Sequence, residues 1–196
     1  METLGQHTSV AATVSRLHSV RRYRARALFD ARFHVDGANP MTFRVSRPSA
    51  DHLHALISEL GAMLTGRRTF DKAQGWGGRH AWGPAFVLTH HIPDGWPRPD
   101  STVHFITDGI ETAVNQAKAA AAGKSVGVHG ADTIQQCLNA GLLDEIQVDI
   151  AAVFLGSGIR LFAHLAGAAG APTVLGNPAV IQGIGVTHIR YPVRRT

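Results

Sequence analysis

The stretch Ala62-Met-Leu-Thr-Gly-Arg-Arg-Thr-Phe70 constrains this chain more than any other. It reads as a short buried strand, Ala62–Thr65, ended by a glycine turn and followed by two arginines and a threonine placed to cap a helix. That order of parts suits a phosphate. Glycine lets the backbone approach an anion closely. A helix N-terminus offers N–H groups without intrahelical partners at the positive end of its dipole. Arginine adds a fork of donors that matches phosphate oxygens. An exposed turn with two solvated arginines would have the same local sequence.

A second junction of this kind, Ser125-Val-Gly-Val-His-Gly-Ala-Asp-Thr-Ile-Gln-Gln136, lies downstream. Val126 and Val128 alternate as in a strand, Gly130 breaks it, and Asp132 or Thr133 is placed to cap the next helix, with Gln135 or Gln136 at capping-box distance. The two readings are an ordinary strand-to-helix turn and a cradle for a cofactor pyrophosphate. Asp132 weighs against the cradle, because its carboxylate competes with phosphate for the same N–H groups. The Gly-x-Gly-x-x-Gly fingerprint is absent, which argues against a standard Rossmann site.

Between and around these junctions the pattern is an α/β alternation. A helix starts at Ser49 or Asp51 and places Leu53, Leu56, Ile57 and Leu60 on one face. A short helix near Thr69–Ala73 leads into the loop Gln74-Gly-Trp-Gly-Gly78. Strands follow at Ala85–Thr89 and Val103–Thr107, a helix at Ile110–Ala122, a strand at Val126–His129, a helix over 132–140 and a strand at Ile146–Leu155. Thr173–Leu175, Val180–Gly183 and Gly185–Val193 then read as antiparallel strands. The expected fold is α/β, a mixed, mostly parallel sheet with helices on both faces and a C-terminal antiparallel hairpin.

At 196 residues one domain is expected. The single cysteine, Cys137, excludes an internal disulfide and falls on an apolar helix face, as a buried structural thiol does. No apolar run is long enough for a membrane span and no secretory segment is seen, so a cytoplasmic protein is expected. The net charge of +5 is concentrated in residues 1–27, where five arginines face one acid, Glu2. The rest is near neutral, so a nucleic-acid face on the domain is not indicated. Residues 1–27 read as a basic, flexible or divergent segment, comparable to a transit peptide or a disordered arm, and residues 28–196 as the folded domain. By that reading residues 1–24 are dispensable, and Leu28, Phe29, Phe33 and Val35 pack on the domain. The twelve histidines show no metal-site spacing: His52 and His54 point apart on a helix.

Taken in order, several segments resemble the dihydrofolate reductase superfamily, in the branch that contains the reductase domain of the bifunctional riboflavin-biosynthesis protein. They are Leu64-Thr-Gly-Arg-Arg-Thr-Phe70, Ala85-Phe-Val-Leu-Thr-His-His91, Phe105-Ile-Thr-Asp-Gly109, Val126-Gly-Val-His-Gly-Ala131, Ala140-Gly-Leu-Leu-Asp-Glu-Ile146, Val153-Phe-Leu-Gly-Ser-Gly158 with Leu161-Phe162, and Gly185-Val-Thr-His-Ile-Arg-Tyr191. The resemblance implies a dihydrofolate reductase-like three-layer fold and an NADPH-dependent reductase, an oxidoreductase acting on CH–NH or CH–OH groups of a pterin-like or aminopyrimidine substrate. It places NADPH at Gly66, Arg67, Arg68, Thr69, Thr89, His90, Gly130, Ala131, Asp132, Thr133, Leu155 and Gly156. A homodimer is also implied, for which the apolar C-terminal strands are suited.

Two departures stand out. His129-Gly130-Ala131-Asp132 replaces a more glycine-rich run. The family's first strand and its Ser-Leu-Asp-Gly-like loop have no clear counterpart. Asp36 in Val35-Asp-Gly37 is a distant match and the one catalytic candidate. If it fails, the alternative is a protein that binds NADPH without turnover. Hydride transfer asks little of side chains, and no catalytic triad is seen. Gly156-Ser-Gly158 reads as a sharp turn at the nicotinamide end or a plain turn, and Trp76 as a ring shield or a loop anchor. No zinc deaminase motif is present.

Overall fold

The βα alternation resolves into one eight-stranded sheet in the computed structural model, which describes residues 45–152, 162 and 173–194 and the backbone path of residues 10–15. The strands are β1 (Val10–Ser15), β2 (Leu60–Gly66), β3 (Ala85–Leu88), β4 (Val103–Ile106), β5 (Ser125–His129), β6 (Glu145–Ala151), β7 (Ala179–Gln182) and β8 (Val186–Pro192). Their order across the sheet is β4-β3-β2-β5-β1-β6-β8-β7. All neighbours from β4 to β6 are parallel. β8 runs antiparallel to β6, and β7 to β8. Four helices, α1 (Arg47–Glu59), α2 (Arg67–Lys72), α3 (Ile110–Ala120) and α4 (Ala131–Asn139), complete the layers. The mixed, mostly parallel sheet with a C-terminal hairpin is the expected architecture.

Side-chain alternation along β2 divides the core. Ala62 and Leu64 join Val126, Val128 and Ile146 beneath α3 and α4, which contribute Ala113, Val114, Ala117, Ile134 and Cys137. Each fully buried aliphatic side chain contributes roughly 1.5–3 kcal/mol to folding. Cys137 is part of this layer, and burial, reinforced by Glu111, pushes its thiol up to about 12. It is the structural thiol its helix face suggested. No helix among the described residues is long and apolar enough to cross a membrane.

The other face carries an aromatic layer. Met63, Ala85, Val87 and Val103 meet Phe70 of α2, with Trp76, Trp82, Trp96 and Phe105 packed against them. Trp76 lies edge-on to Phe70 and to His80, the packing of a loop anchor. His80 sits between Trp76 and Trp82, at 5.0 and 5.4 Å between ring centroids, and its Nδ1 accepts a hydrogen bond from the Trp82 N–H. Burial lowers its pKa to about 4.

Several boundaries differ from the sequence expectation. α1 begins at Arg47, two residues before Ser49, with Pro48 in its first turn. Of Thr173–Leu175, only Leu175 pairs, in a single bridge to Val193. The larger correction concerns the N-terminus. Val10–Ser15 is not part of a dispensable arm. It is a central strand between β5 and β6, with Ala12 opposite both Val128 and Ile146. A domain drawn from residue 28 omits the strand that joins the two halves of its sheet. The cluster Leu28–Val35 lies outside the described residues.

Two outcomes follow from this layout. A chain starting at Ala25 lacks β1 and should lose its cooperative thermal transition. A melting temperature equal to that of the full chain would overturn the placement of Val10–Ser15. His80 is neutral when folded but takes up a proton near its ordinary 6.5 when unfolded. Its contribution is therefore complete above 6.5 and is lost as pH falls from 6.5 towards about 4. Urea midpoints should fall between about pH 7 and about pH 5, and His80→Gln should flatten that fall.

Candidate functional site

The carboxyl ends of the parallel strands form one rim. Thr65 of β2 is opposite His129 of β5, Gly66 is opposite Leu88 of β3, and Leu88 is opposite Ile106 of β4. Both glycine junctions therefore leave the sheet at the same level. Gly66 is the N-cap of α2 and Gly130 the N-cap of α4, and neither helix has a side-chain cap. The expected caps, Thr69 for the first and Asp132 or Thr133 for the second, are not used. Asp132 instead accepts a hydrogen bond from Gln136 Nε2 at 2.9 Å, one turn along the exposed side of α4. It does not cap the helix, although its charge stays in the first turn of α4.

The two junctions touch. A Cβ added to Gly66 would lie 3.0 Å from Thr133 Oγ1. One added to Gly130 would lie 3.3 Å from Thr69 Oγ1, 3.8 Å from Thr133 Oγ1 and 4.0 Å from Thr65 Oγ1. Gly130 also has φ +94, which side-chain-bearing residues rarely adopt. Three hydroxyls thus surround a glycine backbone between two helix N-termini. Thr65 was not among the expected site residues. It is buried, and its hydroxyl donates to the His129 carbonyl at 3.1 Å, tying β2 to β5 below the cradle.

The two arginines have different roles. Arg67 donates from Nε to Asp71 at 2.7 Å and from a terminal nitrogen to the His91 carbonyl at 3.2 Å. The same carbonyl accepts from Thr89 Oγ1 at 2.9 Å. Arg67 is therefore a strut between α2 and the loop after β3. Arg68 is exposed and makes no ion pair among the described residues. His90 is exposed on the loop beside it.

Gly66, Arg67, Thr69, Gly130, Ala131 and Thr133 come together at the two junctions, with Thr89 linked through Arg67. Asp36, Leu155 and Gly156 lie outside the described residues. His129 was read as part of the second junction but not as a site residue, and Trp82, whose ring centroid is 5.7 Å from that of His129, was not singled out. The only available signal was the His80-Ala-Trp82 run before β3. Gly66, the end of β5 and Gly130 thus place two uncapped helix N-termini side by side, the kind of place where anions bind.

Comparison with known proteins identifies the family and the fold. Residues 30–190 match the RibD C-terminal domain family. No curated protein matches the sequence. Among solved structures, a Shewanella sp. PV-4 protein assigned to riboflavin biosynthesis superimposes with a TM-score of 0.57 at 20% identity, covering 96% of this chain and 98% of that one. A pyrimidine reductase-like protein from Corynebacterium diphtheriae gives 0.54 at 13% identity, with 96% and 93% covered. A diaminohydroxyphosphoribosylaminopyrimidine deaminase/5-amino-6-(5-phosphoribosylamino)uracil reductase from Thermotoga maritima gives 0.57 at 13% identity, with 96% and 57% covered. The chain spans little more than half of that bifunctional protein. At these identities the structures establish the shared fold, and with the match over residues 30–190 the chain belongs to the RibD C-terminal domain family.

Proposed function

We propose that the chain is an NADPH-dependent reductase of a pterin-like or aminopyrimidine substrate, similar to the 5-amino-6-(5-phosphoribosylamino)uracil reductase activity named for the Thermotoga protein. The observation that carries this reading is the convergence of Gly66 and Gly130 beneath the hydroxyls of Thr65, Thr69 and Thr133. In it, the first-turn N–H groups of α4 receive pyrophosphate oxygens, and Thr69 and Thr133 donate alongside them. Arg68 meets the 2′-phosphate that distinguishes NADPH from NADH. Arg67 holds α2 and the Thr89–His91 loop at a fixed spacing. The nicotinamide supplies hydride when bound, and the protein supplies position and electrostatics. The alternative is binding of NADPH without turnover; a strand at β1 supports the reductase reading, and the Asp36 loop lies outside the described residues.

The cofactor reading is tested by titrating NADPH and NADH against the wild type and Arg68→Ala. NADPH should bind more tightly, and the substitution should cost about tenfold or more for NADPH alone, as expected for losing one charge-assisted phosphate contact of on the order of 1.5–3 kcal/mol. Equal affinities that the substitution leaves unchanged would sink the reading. Oxidation of bound NADPH by an aminopyrimidine substrate distinguishes a reductase from a cofactor-binding protein.

The same proposal includes a homodimer. Val148, Ile150, Ile189 and Val180 share the sheet face opposite α1, by the register of β6, β8 and β7. Val180 and Ile150 are 57% and 52% exposed. A contiguous apolar face of this kind needs cover. Light scattering at micromolar concentration should give twice 20.9 kDa, and Val180→Asp should shift it towards the monomer. A monomeric wild type would refute the dimer.

A further inference from the structure

Away from the cradle, polar side chains of α1 meet polar groups of β6 and β8. Asp149 and His188 form a directly opposed cross-strand pair. His188 Nδ1 lies 2.7 Å from Asp149 Oδ1, and its Nε2 lies 2.8 Å from Ser49 Oγ. The His52 ring stands 4.7 Å from that of His188 between centroids. Ser49, Gln147, Asp149 and His188 are all at most 6% exposed. One ligand atom from each of His52, Asp149 and His188 lies within 4.8 Å of the others.

A buried carboxylate needs a positive partner. Arg190, the nearby guanidinium, is taken up by Glu145 at 2.5 Å and Glu59 at 3.3 Å. A second observation points the same way. Gln147 is 1% exposed, and its Oε1 has no hydrogen-bond partner among the described residues. Its Nε2 lies 2.7 Å from His52 Nε2, so for the amide to donate, that ring nitrogen must carry a lone pair. Two imidazoles, a carboxylate and an orphaned amide oxygen are thus gathered, and the nearest guanidinium is bound to other carboxylates.

We propose that His52, Asp149 and His188 bind a divalent transition metal of the zinc class, with Gln147 Oε1 as a neutral oxygen beside it. Two imidazole nitrogens and one carboxylate oxygen are a borderline-soft donor set, which suits zinc better than magnesium or calcium. With ligand bonds of about 2.0–2.2 Å the donors of a tetrahedral site stand roughly 3.4 Å apart, so the His188–Asp149 contact opens while His52 closes on the pair. The metal displaces the proton shared by His188 and Asp149 and neutralises the carboxylate. Its role is to staple α1 to the antiparallel end of the sheet, apart from the cofactor cradle. The rival explanation is a hydrogen-bonded Ser49–His188–Asp149 chain that holds a proton and no metal.

The test uses the full chain, stripped with a chelator. Zn2+ is titrated by calorimetry and Co2+ by visible absorption. One metal per chain is expected, with d–d bands of a low-symmetry nitrogen–oxygen site and a melting temperature raised by stoichiometric Zn2+. His52→Ala, at the half-buried edge of the cluster, should weaken Zn2+ binding at least tenfold and abolish the thermal shift. Asp149→Asn should do the same if it folds, and His54→Ala, on the exposed side of α1, should change nothing. No stoichiometric uptake, or uptake equal in the wild type and His52→Ala, overturns the proposal in favour of the proton chain. NADPH binding is independent of every one of these outcomes.

Discussion

The register between β2 and β5 is the constraint on which the cradle depends. Parallel pairing places Thr65 beside His129, so the glycines that follow leave the sheet together. A slip of one residue would turn Thr65 to the opposite face and carry Gly66 away from Gly130. The register is pinned at the start of the strands by an irregularity at Gly61, between the Leu60–Ser125 and Ala62–Val126 pairs. A Cβ at Gly61 would stand 2.3 Å from the Ala121 carbonyl oxygen, so the turn after α3 seats directly on its backbone. The meeting of the two glycine junctions is thus fixed by a close backbone approach at the far end of the same strand.

The cradle works by what it lacks. Helix starts usually recruit Ser, Thr, Asp or Asn to satisfy their first N–H groups. Here the caps are Gly66 and Gly130, and the nearby polar side chains are turned elsewhere. Asp132 is held by Gln136, and Thr65 by the His129 carbonyl. Donors left over in this way favour an anionic ligand, and the Arg67 strut keeps the third loop of the rim from drifting.

Much of this was legible in the sequence, because strand–glycine–helix junctions have a strong local signature. The alternation in Val126 and Val128, the helix face of Cys137 and the order of elements from residue 49 all had it too. The caps were misread because Thr69 and Asp132 have the right residue types in nearly the right places, and only the tertiary pairing shows them three and two positions too late. β1 was missed for another reason. Val10-Ala-Ala-Thr-Val-Ser15 has little apolar contrast and is followed within ten residues by an arginine-rich run, so the composition of the surroundings hid a strand enclosed on both edges. The His52, Asp149 and His188 group had no signal at all, since a helix and two distant strands supply one member each. Asp36, Leu155 and Gly156 belong to segments outside the described residues, so the substrate side of the site rests on the cradle and its neighbours.

The position of β1 also bears on how the chain comes into being. Val10 pairs with Val126 and Ala11 with Glu145, so its partners lie 116 and 134 residues downstream. During synthesis β1 is made first and paired last. Both of its backbone edges wait unsatisfied while β2 to β5 assemble from local βα units. A chain stalled or cut before residue 145 retains an open strand edge on β1, where another nascent chain can dock. The sheet closes only when β6 arrives, so folding to the final state is tied to near-complete translation. Variants that slow production of residues 126–151 should aggregate without weakening any contact of the finished fold.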